Sequence, residues 1–217
     1  MSKPNHQESV VIKKVNQKVG KAIQKYGLIE EGDRILVGLS GGKDSMVLLE
    51  TLAGRLKFNP VKYGLAAIHI SLKTQPYTID MDYMASFAEK LRVPFIHRII
   101  DVDLFNEENN NPCFVCSWNR RKALFEAAGE LGYNKLALGH HMDDAIETLL
   151  MNMAFQSSIS AMPPQLPMFG GELKIIRPLI LLLEDEVKQF AAIRNFKKEI
   201  KLCTFEKDSK RKDIKKL

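Results

Sequence analysis

Short apolar runs alternate along this chain with longer segments whose apolar residues recur every three or four positions. The runs are RILVGL (34–39), YGLAAIHI (63–70), PFIHRII (94–100), KLALG (135–139) and LKIIRP (173–178). A run that short fits a buried strand or part of a buried helix equally well, so the segments between them decide. DSMVLLETLAGRL, IDMDYMASFAEKL, SWNRRKALFEAAGEL and DDAIETLLMNMAF each carry the helical period. Strand, helix, strand repeated in this way predicts an α/β fold, a parallel five-stranded sheet with helices on both faces and right-handed crossovers. A basic stretch, VVIKKVNQKVGKAIQKYGLI, predicts a helix before the first strand, and LEDEVKQFAAIRNF predicts a last one. FNEENNNP (105–112) and SSISAMPPQLPMFGG (157–171) are expected to be loops.

With 217 residues, 45% of them hydrophobic, the chain can cover a substantial core without disulfide staples. Its net charge of +6 is spread unevenly: residues 1–30 carry +4 and residues 194–217 carry +6, which leaves −4 between them. The expected organisation is a basic helical segment (1–30), a nucleotide-chemistry domain (31–196) and a basic tail (197–217). Basic ends suit arms that grip a polyanion, although two solvated charged segments would look the same. The chain has no apolar run of membrane-spanning length and does not start like a secretory signal, so a cytoplasmic protein with no membrane partner is expected.

The turn SGGKDS (40–45) joins the first strand to the first crossover helix, at the sheet edge where such folds bind ligands. Gly41 and Gly42 lack Cβ atoms, so backbone N–H groups can converge on an oxyanion there. The helix adds its positive N-terminal end, Ser40 and Ser45 add hydroxyl donors, and Lys43 adds a point charge. The usual nucleoside-triphosphate loop would need glycine at Val37 and serine or threonine at Asp44. An acidic side chain beside a phosphate nest is repulsive unless a cation intervenes, so Asp44 implies Mg²⁺ bridging to phosphates. The structural alternative is that Asp44 caps the helix.

A second cluster, GHHMDDAIET (139–148), ends the fourth strand run and opens the next helix. Asp143 and Asp144 fall in its first turn, where the dipole favours carboxylates. Adjacent carboxylates point in different directions, so one can cap while the other serves as a metal ligand or acid/base group. His140 and His141 are nucleotide contacts or ordinary loop histidines.

SGGKDS resembles the signature of the PP-loop, or N-type, ATP pyrophosphatases, which split ATP between its α and β phosphates and leave AMP on a substrate oxygen. G-H-x-x-D-D-x-x-E-T is similar to the second fingerprint of the tRNA-modifying members. The resemblance implies nucleotide contacts at Ser40, Gly41, Gly42, Lys43, Asp44, Ser45, Gly139 and His140, with Ile68 of the second strand run joining them. Asp143 and Asp144 are candidate catalytic residues, and Glu147 and Thr148 support them.

Cys113 and Cys116 form CFVC, and the remaining cysteine is Cys203. Three thiols in such a chain argue against a disulfide framework and leave four readings. These are a redox C-x-x-C pair, a zinc site with a fourth ligand, a [4Fe–4S] cluster on three thiolates with one open iron, and an incidental Cys203. From about residue 10 to Cys203 the chain is similar to the tRNA-cytidine 2-sulfurtransferases, which combine SGGKDS, a C-x-x-C, and a later cysteine. The resemblance implies ATP, Mg²⁺ and a [4Fe–4S] cluster on Cys113, Cys116 and Cys203. It implies tRNA as partner and substrate, with a cysteine desulfurase or free sulfide supplying sulfur, and it admits a homodimer. Two departures stand out: HISLKTQP (69–76) replaces the Asp-Gln pair relatives often carry, and the tail has one cysteine where they often have two.

In this scheme the cytosine C2 oxygen, a poor leaving group, departs as AMP once adenylated. Arg120, one turn after Cys116, is placed to stabilise charge on the transferring group, or is a surface arginine. Trp118 stacks on a base or belongs to the core. The rival readings are a lysidine-synthetase-type tRNA ligase and a non-catalytic nucleotide-binding redox sensor.

Overall fold

The structure, a computed structural model, describes residues 5–58, 60–73, 80–103 and 112–197. The helix α1 (His6–Tyr26) begins at a reciprocal cap: Asn5 Oδ1 accepts from Glu8 N–H (2.9 Å), and the Glu8 carboxylate accepts from Asn5 N–H (2.7 Å). It stops at Gly27 in the left-handed region, φ 59°. Val15, Val19 and Ala22 are fully buried, so this basic helix is fixed to the main body by an apolar stripe.

Strands and helices then alternate: β1 (Arg34–Gly38), α2 (Lys43–Arg55), β2 (Gly64–Leu72), α3 (Met81–Lys90), β3 (Phe95–Ile100), α4 (Pro112–Glu130), β4 (Lys135–Ala137) and α5 (Met142–Gln156). β5 (Gln165–Met168), a short 3-10 turn, β6 (Leu173–Ile176) and α6 (Glu184–Ile193) complete the order.

The sheet has six strands in the order β3-β2-β1-β4-β6-β5. All neighbours pair in parallel except β5 and β6, which are antiparallel, Gln165 opposite Ile176 and Met168 opposite Leu173. The five-stranded parallel expectation is corrected here by the edge strand β5, drawn from a segment expected to be loop. Its four residues show no alternation and include Pro167, which an edge strand tolerates because one side of its ladder is unpaired.

Alternate residues of β2 divide the core. Leu65 and Ala67 join the cluster under α1, α2, α3 and α6, while Ala66, Ile68 and Ile70 join the cluster under α4, where Ala123, Ala127 and Ala128 let that helix approach closely. From β1 the chain steps outward through β2 to β3, then returns to place β4 on the other flank of β1. The strand order therefore reverses between β1 and β4, and a crevice opens above their carboxyl ends.

Candidate active site

Leu39, just past β1, donates its N–H to the Ile68 carbonyl (2.8 Å), and the chain then turns through Ser40, Gly41 and Gly42 into α2. Gly41 takes φ 89°, open to glycine and strained for other residues. Gly42 N–H donates to Ser40 Oγ (3.3 Å), Ser40 N–H to Ser45 Oγ (3.1 Å), and the Ser45 hydroxyl to the Gly42 carbonyl (2.9 Å). The N-cap is Gly42 and Asp44 lies within the first turn, so among the described residues no side chain caps α2. The positive end of α2 is left for an anion. Lys43 Nζ lies 3.0 Å from Asp44 and 3.5 Å from Glu184 of α6, held between two carboxylates.

The second turn sits against the first. Leu138 N–H donates to the Ile176 carbonyl (3.0 Å). Gly139 then passes so close to α2 that an added Cβ would stand 2.9 Å from the Asp44 carbonyl carbon and 3.0 Å from Ser45 N. His141, 3% exposed, lies 3.9 Å from Asp44, 3.6 Å from Asp143 and 3.4 Å from Asp144. The two adjacent carboxylates diverge. Asp144 accepts from the His141 N–H (2.9 Å), whereas Asp143 accepts from the Glu184 N–H (2.7 Å) at the start of α6. His140 Nδ1 accepts from Arg177 Nε (3.3 Å), and Arg177 also donates to the Pro163 carbonyl (2.6 Å).

Between the two turns lies a cavity of about 290 Å³. Ser40, Asp44 and Ser45 line it from the first turn, Gly139, His140 and Asp144 from the second, and Ile68 from β2. Arg120 reaches it from α4. Gly41, Gly42, Lys43 and Asp143 are not in its wall, the first three forming the loop and the last turned to α6.

His69 also lines this cavity, and sequence reasoning missed it. It is 2% exposed, and Nδ1 lies 2.7 Å from the Leu39 carbonyl, so this nitrogen carries the proton and donates. Burial is the main cause that pushes its pKa down to about 4, opposed by that hydrogen bond and assisted by Arg120 and His97. The ring is therefore neutral near pH 7, and Nε2, an acceptor, has no hydrogen-bond partner among the described residues. A histidine inside the apolar run YGLAAIHI was the available signal.

Residues 11–209 match the family model described as a PP-loop domain. The chain belongs to the PP-loop family. Within it, the chain is 37% identical over 212 residues to the tRNA-cytidine(32) 2-sulfurtransferase of Idiomarina loihiensis, covering 94% of this chain and 69% of that one. It is 38% identical over 195 residues to the enzyme of the same name from Geobacter sulfurreducens, covering 87% and 74%. These matches place it in the tRNA-cytidine 2-sulfurtransferase branch. Among solved structures it resembles the U34-tRNA thiolase NcsA from Methanococcus maripaludis with its [4Fe-4S] cluster: TM-score 0.78, 27% identity, 96% of this chain and 72% of that one. An NH3-dependent NAD synthetase from Campylobacter jejuni shares the fold alone, with a TM-score of 0.50, 16% identity, and coverage of 87% and 73%.

In this PP-loop protein α4 begins at Pro112, a residue suited to the first helical position, five residues earlier than the SWNRRKALFEAAGEL period suggested. Cys113 and Cys116 thus occupy its opening turns, the former exposed and the latter half-buried, with Cys116 one turn before Arg120. Cys203 lies outside the described residues. No described helix is long and apolar enough to cross a membrane.

Proposed function

We propose that this chain is an ATP-dependent tRNA sulfurtransferase, which adenylates the C2 oxygen of a cytidine in the tRNA anticodon loop and replaces it with sulfur, giving 2-thiocytidine. One observation carries this: α4 projects Arg120 into the pocket between the two turns and bears Cys116 one helical turn earlier. Thiol chemistry and nucleotide chemistry therefore share one end of the sheet.

The loop amides and the uncapped start of α2 hold the ATP phosphates, with Ser40 and Ser45 as hydroxyl donors and Lys43 as a charge drawn from Glu184. Ile68, Gly139 and His140 border the nucleoside. Asp44 and Asp144, which line the pocket, would hold Mg²⁺, which would offset the charge on the phosphates. Asp143 contributes by anchoring α6 against this turn. The cytosine oxygen attacks the α phosphorus and expels pyrophosphate; Arg120 offsets the charge, and the oxygen later leaves as AMP.

Cys113 and Cys116, three residues apart on one helix, suit two corners of a [4Fe–4S] cluster, with Cys203 as the third. Such a cluster, when bound, would supply an iron able to carry sulfide to the activated base. A cysteine desulfurase or free sulfide provides the sulfur, and the site of action is the cytoplasm. A lysidine-type ligase or a redox sensor would leave either the thiols or the Asp44 pocket without a task.

The test is anaerobic: reconstituted protein, unmodified tRNA, ATP, Mg²⁺ and sulfide, followed by mass spectrometry of the digested nucleosides. The expected product is 2-thiocytidine, dependent on ATP and lost in Cys116→Ala. Cytidine that gains an amine-linked group, or stays unmodified with cluster intact, contradicts the proposal.

A further inference from the structure

The side of α4 turned away from the pocket carries a second feature. Trp118, the chain's single tryptophan, is 56% exposed, which excludes a core role for it. Phe114 is 62% exposed and stacks on it, the ring planes 17° apart and the centroids 6.2 Å apart. Below them a groove of about 410 Å³ runs between α4 and the turn after β5, lined by Trp118, Arg121, Lys122, Phe125, Glu126 and Phe169 among others.

Phe169 closes the far wall. It is 58% exposed at φ 50°, a left-handed conformation that a bulky residue adopts only under strain. Its ring meets Phe125 edge-on, centroids 5.8 Å apart, so contact with the helix holds it in place. The groove is cationic as well as aromatic. Lys122 has Glu126 3.8 Å away across one turn. Arg121 stands beside Lys122 in the same wall. A guanidinium and an ammonium beside exposed rings suit a ligand with phosphates and flat bases; an apolar protein surface would leave the Arg121 charge without a counterpart.

We propose that this groove is a stacking platform for an unpaired nucleobase of RNA, with Arg121 and Lys122 on the adjoining phosphates. It rests on the tRNA reading above and deepens it: α4 separates two base sites, the inner one marked by Arg120 and the outer by Trp118. The two residues are two positions apart, about 3 Å along the axis and on roughly opposite sides of α4, so a strand wrapping the start of the helix meets both. The outer site is tolerant of sequence, because every base has a stacking face.

Trp118 is its own reporter. Titrating the full chain with an oligocytidine RNA, and separately with a tRNA anticodon stem-loop, should quench its emission along the same curve that anisotropy of labelled RNA gives. Trp118→Ala should weaken RNA binding about tenfold and leave ATP affinity unchanged. Arg121→Ala should lower the salt dependence of binding by roughly one phosphate contact. Emission unchanged at RNA saturation, or undiminished RNA affinity in Trp118→Ala, overturns the platform even if 2-thiocytidine is made. Emission that changes with protein concentration alone assigns the groove to a second copy and also overturns it. Quenching by RNA in a protein that makes no 2-thiocytidine keeps the platform and rejects the thiolation reading.

Discussion

Lys135 at the head of β4 and His69 near the tail of β2 are both buried, yet one is fully paired and the other is not. Lys135, 1% exposed, donates to the Asp33 carboxylate (2.6 Å) and the Leu28 carbonyl (2.9 Å). Asp33 in turn accepts from Glu30 N–H (2.6 Å) and the Asn134 amide (2.8 Å). At the carboxyl edge of the same sheet, His69 Nε2 has no hydrogen-bond partner among the described residues, and no described side chain caps α2. The amino edge satisfies its polar groups internally and serves stability. The carboxyl edge leaves donors and acceptors open and serves a ligand.

The largest effect that tests this contrast is at the amino edge. Lys135→Ala leaves Asp33 buried without its cation and should lower unfolding stability by about 3–5 kcal/mol. In the fraction that remains folded, ATP affinity should be unchanged. Urea melts with and without ATP check both; a stable variant that has lost ATP binding would break the contrast.

The next effect is at His69 and depends on pH. Its folded pKa, about 4, lies below the ordinary 6.5, so the unfolded chain binds the proton first. Stability is complete above about pH 6.5 and falls as pH drops toward 4, by roughly 3 kcal/mol at most. His69→Gln should flatten that part of the stability profile, read from denaturant melts at pH 7, 5.5 and 4. A slope identical to wild type would remove His69 from the account.

Smaller again is the effect at the meeting of the two turns. Gly139→Ala places a methyl group against the Asp44 carbonyl and should cost about 1–3 kcal/mol, with weaker ATP binding because α2 shifts. Calorimetric titration with ATP and a thermal melt measure the two consequences. A variant that melts and binds as wild type would mean that the turns are not in register as described.

Much of the molecule was legible in the sequence because local patterns sufficed. Apolar runs and helical periods gave the parallel strands and their crossovers, and SGGKDS fell at a strand-to-helix junction whose chemistry is set by its own residues. What escaped depends on partners far along the chain. β5 exists only because β6 offers a free edge, and nothing in QLPM announces it. The division of labour between Asp143 and Asp144 is decided by Glu184, 41 residues away, which no pattern within DDAIET could show. The cavity role of His69 follows from Leu39, brought beside it by the pairing of β1 with β2. Cys203 falls outside the described residues, so its part in the thiol set rests on the resemblance.

The central claim is that the crevice between the two turns cleaves ATP between its α and β phosphates to activate an oxygen. Chromatography of ATP labelled at the α phosphate, incubated with unmodified tRNA and sulfide under anaerobic conditions, tests it most directly. Wild-type protein should yield labelled AMP and no labelled ADP, one AMP for each 2-thiocytidine. Asp44→Ala should reduce AMP formation about 100-fold or more while melting within about 1 kcal/mol of wild type. Labelled ADP as the product, or AMP formation undiminished in Asp44→Ala, would contradict it.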